Sequence, residues 1–316
     1  MILNISGRTD IVNYYTKWLL KRFEEGFVYS RNPVYPKKIH RISLKPTDVD
    51  FIIFCSKNYE PILDCIKDFD GNYRILCQYT ITPYGKDIEP NVPSIVKSID
   101  TLIRLSQIIG KDKVVLRFDP LIICDDYSIE RITKTFDYIL ERTHRYISFC
   151  VTSFVVLYNK VIRNFNNIRD ITKEERIILC KELGAIAQKY NVSLQLCADK
   201  DDYSSYGIAK GACVSKELLE KTFEVSIQAT KKGHFRENCG CITMHNLGDY
   251  NTCLNQCLYC YANQTPLLPK QIIKQHNPNS PLLIGDVMDD DEIVDLKDEM
   301  IVKEKERDLF DLWEEQ

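Results

Sequence analysis

The chain has 316 residues, of which 44% are hydrophobic and 28% are charged, so it can bury a full core. Its net charge of −3 comes without dense stripes of Lys and Arg, which argues against a nucleic-acid partner without excluding one. The apolar runs at 51–54 and 154–158 are far too short to span a bilayer, and the amino-terminal residues do not resemble a secretion signal. We therefore expect a cytoplasmic protein with no membrane partner.

Apolar, β-branched runs alternate with helical patterns over most of the chain. In chain order they predict a strand at 2–5, a helix at about 10–24 with Thr9 as its N-cap, and a hairpin inserted at 27–44. The remaining strands are predicted at 51–55, 74–80, 114–118, 147–152 and 192–197, and the helices at 59–69, 94–109, 128–144, 155–165 and 173–190.

This alternation is typical of a mainly parallel α/β sheet covered by helices. We predict a complete or partial (β/α) TIM-like barrel with a carboxy-terminal cysteine-rich segment that binds a cluster. An open, doubly wound parallel sheet is the alternative. No G-x-G-x-x-G or Walker A loop follows a predicted strand, which argues against the nucleotide-binding form of that alternative.

The distribution of charge and cysteine suggests three segments. Residues 1–230 form the barrel-like domain, and residues 231–288 form a cysteine-rich Fe–S segment packed on the barrel mouth. Residues 286–316 carry 14 Asp and Glu against 4 Lys and Arg. We therefore interpret 289–316 as an acidic, solvated tail, partly helical around 296–313. The rest of the chain is mildly basic, which is compatible with an anionic substrate or cofactor.

Polar residues follow several predicted strands, and in α/β barrels the chemistry lies where strands run into the following loops. Arg117 and Asp119 alternate onto one face of their strand, so we expect both to point into the barrel mouth. Together with Lys57 and Asp10, which follow two other strands, they are the candidate catalytic residues. The alternatives are an N-cap for Asp10 and a structural ion pair for Arg117 with Asp119.

The 13 cysteines are not expected to form disulfides, because the cytosol keeps thiols reduced. Five of them fall between residues 239 and 260, a clustering typical of metal binding. Cys253, Cys257 and Cys260 have the spacing C-x3-C-x2-C, with Tyr259 before the last cysteine. Three thiolates on one loop suit a [4Fe–4S] cluster that leaves one iron without a protein ligand.

Four further cysteines, Cys197, Cys213, Cys239 and Cys241, would suffice for a closed tetrahedral zinc site or a second Fe–S cluster. His234 and His245 are alternative ligands. The remaining cysteines lie in strand or helix patterns, and most of them are expected to be small core residues: Cys55, Cys65, Cys77, Cys124, Cys150 and Cys180.

Two resemblances follow from these residues. C-L-N-Q-C-L-Y-C (253–260) resembles the signature of radical S-adenosylmethionine enzymes, and the overlapping Y-C-Y-A-N resembles that of the spore photoproduct lyases among them. Over nearly its whole length the chain resembles an uncharacterised family, domain of unknown function 1848. The stretches that carry this second resemblance are S-G-R-T-D-I (6–11), R-N-P (31–33), T-P-Y-G-K-D-I-E-P-N-V-P (82–93), R-F-D-P (117–120), Y-G-I-A-K-G-A-C (206–213), C-G-C (239–241), Y-N-T-C-L-N-Q-C-L-Y-C-Y-A-N (250–263) and S-P-L-L-I-G (280–285).

The first resemblance implies a [4Fe–4S] cluster whose open iron chelates S-adenosylmethionine and, on receiving one electron, yields a 5′-deoxyadenosyl radical. It implies an electron donor such as a ferredoxin or flavodoxin, and a small-molecule or otherwise unknown substrate. We take Tyr259, Arg8 and Asn263 as the candidate cofactor-binding residues. The family resemblance adds no substrate.

The sequence also departs from both patterns. Gly7 stands where the family resemblance leads us to expect an arginine, and Cys55-Ser56 where we expect Trp-Thr. In radical enzymes the motif usually follows the first barrel strand, whereas here it follows six strand–helix units. Either the barrel is permuted or the cluster lies on a carboxy-terminal lid. Two other functions stay open: a binding or regulatory barrel with structural zinc or a closed cluster and, less favoured, a zinc-dependent hydrolase.

Overall fold

Eight parallel strands form the main sheet of the computed structural model, which describes residues 1–228, 233, 236–298 and 301–303. The strands are β1 (Ile2–Asn4), β2 (Phe27–Arg31), β3 (Lys38–Ser43), β4 (Phe51–Ser56), β5 (Ile75–Thr80), β6 (Val114–Arg117), β7 (Phe149–Thr152), β8 (Leu194–Cys197), β9 (Ile208–Gly211), β10 (Ser226–Ile227), β11 (His245–Asn246), β12 (Glu292–Asp295) and β13 (Val302–Lys303). The helices are α1 (Ile11–Tyr14), α2 (Thr16–Glu25), α3 (Ile66–Asn72), α4 (Ile95–Ile109), α5 (Ile129–Thr143), α6 (Asn159–Asn164), α7 (Lys173–Lys189), α8 (Lys216–Phe223) and α9 (Pro269–Ile272).

The strand order of the main sheet is β11-β1-β4-β5-β6-β7-β8-β9. The predicted α/β class and the parallel sheet are confirmed. In the described part of the chain no pairing joins β9 to β11, so the sheet is open and a TIM barrel is not shown. Openness agrees with the alternative fold, although the strands from β1 to β9 follow chain order across the sheet. Two short edge strands, β9 and β11, were absent from the sequence-based prediction.

Both faces of the main sheet are buried, which explains why its strands are apolar almost throughout. One face carries Leu3, Phe54 and Leu116 and packs against the apolar sides of α2, α3, α4, α5 and α7. The other face carries Phe51 and Val115 and packs against residues of the 213–242 segment. The sheet therefore lies between a helical layer and a covering segment that contains three cysteines, Cys213, Cys239 and Cys241.

The helix predicted at 10–24 is interrupted at Tyr15, where the chain leaves helical geometry between α1 and α2. The Tyr15 hydroxyl donates to the carbonyl of Thr252 at 2.7 Å, a tertiary contact that a local pattern does not contain. The N-cap of α1 is Asp10 rather than the predicted Thr9, because the Asp10 carboxylate accepts from the Asn13 backbone. The helix predicted at 59–69 is a 3₁₀ turn (Glu60–Ile62) followed by α3.

A second sheet confirms the predicted hairpin. β2 and β3 pair antiparallel, and β12 joins β3 in parallel, with Glu292 opposite Lys38. The stretch predicted to be a solvated tail is thus partly held by strand pairing, and β13 pairs with β10. The helix expected at 296–313 falls mostly outside the described residues, and the three-segment division stays a prediction. None of the described helices is long and apolar enough to cross a membrane.

Candidate metal centre

Both predicted groups of metal-binding cysteines lie at the carboxyl edge of the main sheet. Cys197 is the last residue of β8, and Cys213 follows β9 by two residues. The motif at 253–260 follows β11, and β11 pairs in parallel with β1, so its exit reaches the same edge. The late position of the motif in the chain is therefore compatible with a place beside the first strand. Carboxyl edges of parallel sheets are where α/β proteins bind ligands.

The loop at 251–264, here called the cysteine loop, is shaped by amide side chains. Asn251 and Gln256 adopt positive φ angles of 62° and 60°, which permits sharp turns around the cysteines. Asn263 donates from Nδ2 to the carbonyl oxygen of Cys253 at 2.8 Å and so ties the two ends of the motif together. The other side-chain atom of Asn263, Oδ1, is buried and has no hydrogen-bond partner among the described residues.

The three thiols of the cysteine loop have raised pKa values. Burial is the main cause for each of them, and the mutual repulsion of the sulfurs adds to it for Cys253 and Cys257. The Lys57 ammonium acts in the opposite direction on Cys257 and Cys260. Cys253 and Cys257 are buried, whereas Cys260 is partly exposed. Without a metal these thiols stay protonated, so metal binding must release protons.

Asp10 connects the cysteine loop to the ends of β1 and β4. Its carboxylate accepts from the Ser56 hydroxyl at 2.6 Å and from the Lys57 backbone at 3.1 Å. It also accepts from the Asn255 side chain at 2.9 Å and caps α1. Burial raises the pKa of Asp10, and these hydrogen bonds oppose the rise. Four donors thus surround this candidate catalytic residue, and one of them, Asn255, belongs to the cysteine loop.

Lys57 lies in a buried polar group that includes a carboxylate which the sequence did not single out. Lys57 Nζ is 2.9 Å from Glu89 Oε1, and the same oxygen accepts from Thr82 Oγ1 at 2.7 Å and from the Tyr259 hydroxyl. Lys57 Nζ also lies 5.7 Å from the centre of the Tyr259 ring. Burial opposes the charge of Lys57, but the neighbouring acidic groups together, Glu89 first among them, raise the pKa of the lysine. Tyr259, a candidate cofactor-binding residue, therefore contacts this ion pair beside Cys257.

Arg117 and Asp119 form a two-pronged ion pair, with Nε to Oδ1 at 3.0 Å and Nη2 to Oδ2 at 2.6 Å. Burial favours neutral Asp119, yet Arg117, together with Arg236 and Lys57, lowers the pKa of that carboxyl. Arg117 Nη1 donates to Gln78 Oε1 at 2.8 Å and lies 4.0 Å from Cys55 Sγ. Gln78 in turn donates to the carbonyl of Cys213 at 2.6 Å. Through Gln78, the ion pair is therefore connected to the second group of cysteines.

That second group is compact. Among the described residues, Cys197, Cys213 and Cys241 place their Sγ atoms within 4.8 Å of one another, and the first two sulfurs are 3.2 Å apart. Cys239 is not part of this compact group, although its side chain affects the pKa values of Cys197 and Cys241. The three motif cysteines do not form a group of this compactness in the described part of the chain. Hydrogen bonds from Cys213, Cys239 and Cys241, helped by Arg236, lower the pKa of Cys197.

Arg8 follows the carboxyl end of β1. Its Nη1 atom donates to Ser30 Oγ at 3.3 Å and to the carbonyl of Gly248 at 3.4 Å. It also faces Asp249, whose pKa burial raises to about 6 while Arg8 and Arg31 counteract the rise. Of the two alternative histidine ligands, His245 contacts Asp298 at 2.5 Å, and His234 lies outside the described residues.

The structure thus brings Lys57, Asp10 and Tyr259 around the cysteine loop and places Arg117 with Asp119 toward the second cysteine group. Sequence reasoning missed Glu89 and Arg236. Glu89 lies in an irregular stretch after β5, within the quoted T-P-Y-G-K-D-I-E-P run, but nothing local indicates which lysine it pairs with. Arg236 lies three residues before Cys239, and that proximity was the one available signal.

A family model described as "Domain of unknown function (DUF1848)" matches residues 2–262, which is most of the chain. The protein belongs to this family. No curated protein matches it. Among solved structures, the "C-terminal domain of putative chitinase from Desulfitobacterium hafniense DCB-2" is 12% identical and covers 74% of this chain and 79% of that chain, with a TM-score of 0.26. A likeness at that level carries no argument about fold or function. The family membership agrees with the resemblance noted from the sequence.

Proposed function

We propose that this protein is an Fe–S enzyme of the radical S-adenosylmethionine type, with its [4Fe–4S] cluster on Cys253, Cys257 and Cys260. The observation that carries the proposal is the donor set: three buried or half-buried thiols on one turn at the carboxyl edge of a parallel sheet. In a cubane each thiolate binds a different iron, so its ligands lie farther apart than on a single ion. Three motif sulfurs that are not packed as closely as the second group suit such a cluster.

When bound, this cluster with S-adenosylmethionine would supply a 5′-deoxyadenosyl radical. The residues of the chain would then orient the reacting molecules and exclude water. Tyr259 and the Lys57–Glu89 pair form a polar surface beside Cys257, and Asn263 Oδ1, which has no hydrogen-bond partner among the described residues, is an acceptor inside the loop. Asp10 holds the loop against β1 and β4 through Asn255. Arg117 and Asp119 are proposed to contact the substrate, whose identity stays open.

The cluster is tested by anaerobic reconstitution of the full chain with iron and sulfide. We expect iron and sulfide in near-equal amounts and their loss in Cys257→Ala. The matched control is Cys65→Ala, because Cys65 is also a partly buried cysteine but lies before α3, away from the loop. Stoichiometric zinc with no iron uptake at these cysteines would contradict the cluster.

Catalysis is tested separately, by reducing the loaded protein in the presence of S-adenosylmethionine. We expect 5′-deoxyadenosine to form slowly even without a substrate, and Cys260→Ala to abolish it. A ferredoxin or flavodoxin should replace the chemical reductant if the proposed electron donor is right.

The second candidate function is a binding or regulatory metalloprotein. It is favoured because the charged groups at the carboxyl edge of the sheet already neutralise one another: Lys57 is paired with Glu89, and Arg117 with Asp119. Fully loaded cluster that neither binds nor cleaves S-adenosylmethionine would favour this function over the enzyme.

A further inference from the structure

The second group of cysteines differs from the cysteine loop in its geometry. We call Cys197, Cys213, Cys239 and Cys241 the four-cysteine site. Its residues come from the end of β8, from just after β9 and from the C-G-C turn, so the site forms only when these segments meet. Three of its cysteines are buried, and Cys239 is partly exposed at the rim.

The spacing of the sulfurs indicates what the site can hold. Zn–S bonds of about 2.3 Å in a tetrahedron place the sulfurs about 3.8 Å apart. The Sγ atoms of Cys197, Cys213 and Cys241 all lie within 4.8 Å of one another, with the shortest separation 3.2 Å. A single ion therefore fits among these three sulfurs after small side-chain rotations, and the Cys239 side chain, which lies outside the compact group, has to turn toward them to supply the fourth ligand. A cubane would require the sulfurs to separate, because each thiolate binds a different iron.

The surroundings of the site suit a negatively charged metal complex. Four thiolates around a divalent ion leave a net charge of about −2. The positive charge of Arg236 acts on Cys197 and Cys213, and that of Arg117, at the end of β6, acts on Cys213. Buried charges are stable when opposite charges and hydrogen bonds accompany them.

We propose that the four-cysteine site binds one zinc ion as a closed, structural centre, independent of the cluster on the cysteine loop. Four cysteine ligands leave no open position, as in structural rather than catalytic zinc sites. The ion joins β8 and β9 to the segment that covers the Val115 face of the sheet. On that face Cys213 and Cys241 pack with Val115 and Phe149. Its function is to hold that segment in place against the main sheet.

The test uses the full chain with Cys253, Cys257 and Cys260 all replaced by alanine, so that the proposed cluster cannot contribute metal. After anaerobic purification with zinc supplied, we expect one zinc and no sulfide per chain. Adding Cys241→Ser should reduce the zinc content at least tenfold, whereas adding Cys65→Ala should not change it. Failure of the cluster proposal would not affect this result.

Because Cys241→Ser can also unfold the protein, a second measurement examines the site directly. Replacing zinc by Co²⁺ should give the intense visible bands of tetrahedral cobalt and the ultraviolet charge-transfer bands of four thiolates. Iron with equimolar sulfide in the triple variant would overturn the proposal in favour of a second cluster. One iron without sulfide would overturn the assignment of zinc, and metal-free protein with a Cys197–Cys213 disulfide would overturn the site.

Discussion

At the level of single residues, the carboxyl edge of the main sheet contains buried charged side chains that form ion pairs with one another. Glu89 is 2% exposed and accepts from Lys57, Thr82 and Tyr259 through one oxygen. A buried pair of this kind is worth little against an apolar replacement, but removing one partner leaves the other charge without compensation. The pair therefore constrains both members, and it holds Tyr259 next to the cysteine loop.

We predict that Glu89→Gln lowers the free energy of unfolding by about 3–5 kcal/mol, because it leaves the Lys57 ammonium buried and unpaired. Urea unfolding of the metal-free protein measures this change. Lys57→Met combined with Glu89→Gln should recover part of the loss. Glu130→Gln, which breaks an exposed pair with Lys134, is the control and should change nothing measurable. A loss for Glu89→Gln as small as that of the control would contradict the prediction.

At the scale of elements, the position of the cysteine loop depends on a two-residue strand. β11 pairs with β1 through Leu3 and Asn4, and Asn246 of β11 accepts from the Asn4 side chain at 2.8 Å. Gly7 makes this approach feasible, because a Cβ there would lie 2.0 Å from Asn246 Oδ1. The glycine that replaces the expected arginine thus coincides with the closest approach of β11.

We predict that Gly7→Ala destabilises the fold by about 1–3 kcal/mol, since the added methyl group must displace Asn246. It should also reduce the iron bound after reconstitution, because β11 leads into the cysteine loop. Gly71→Ala is the matched control: a Cβ at Gly71 meets nothing within 4 Å, and alanine is favoured in α3. Unchanged stability and iron content in Gly7→Ala would show that β11 can shift without consequence.

For the molecule as a whole, Asp50 contacts residues near both ends of the described chain. Its carboxylate pairs with the amino terminus at 2.5 Å and accepts from the backbone of Ile301 and Val302 at 3.1 Å and 3.0 Å. β12 adds to β3, and Asp291 pairs with Arg31. The acidic end of the chain therefore takes part in the fold at several places.

We predict that a chain ending at residue 288 is less stable than one ending at residue 303 but binds the same amount of iron. The lost contacts are those of β12, β13 and Asp50, whereas no motif cysteine is removed. Thermal unfolding and iron analysis of the two chains provide the comparison. Equal melting temperatures would show that these contacts are dispensable, and loss of iron from soluble short chain would show that the segment helps to close the site.

The strands and helices were largely predictable because their signals are local. Six strands of the main sheet and most of the helices lie within a few residues of their predicted positions, since a continuous apolar run or a 3.6-residue period reports burial directly. The two strands of the main sheet that were not predicted, β9 and β11, are short and lie at its edges, where few residues are available to form a pattern. The break at Tyr15 follows from a contact with Thr252, which is distant in the chain.

Three features were predictable from the amino-acid sequence: the α/β class, the parallel pairing implied by alternating strands and helices, and the two sets of cysteines. The motif at 253–260 could be recognised from the sequence because its three cysteines are close in the chain. The open sheet, the pairing of Glu89 with Lys57 and the place of β11 beside β1 became known from the folded chain. The same is true of the convergence of Cys197, Cys213 and Cys241 to single-ion spacing. These outcomes depend on pairing between segments that are far apart in the chain, and local periodicity contains no information about such pairing.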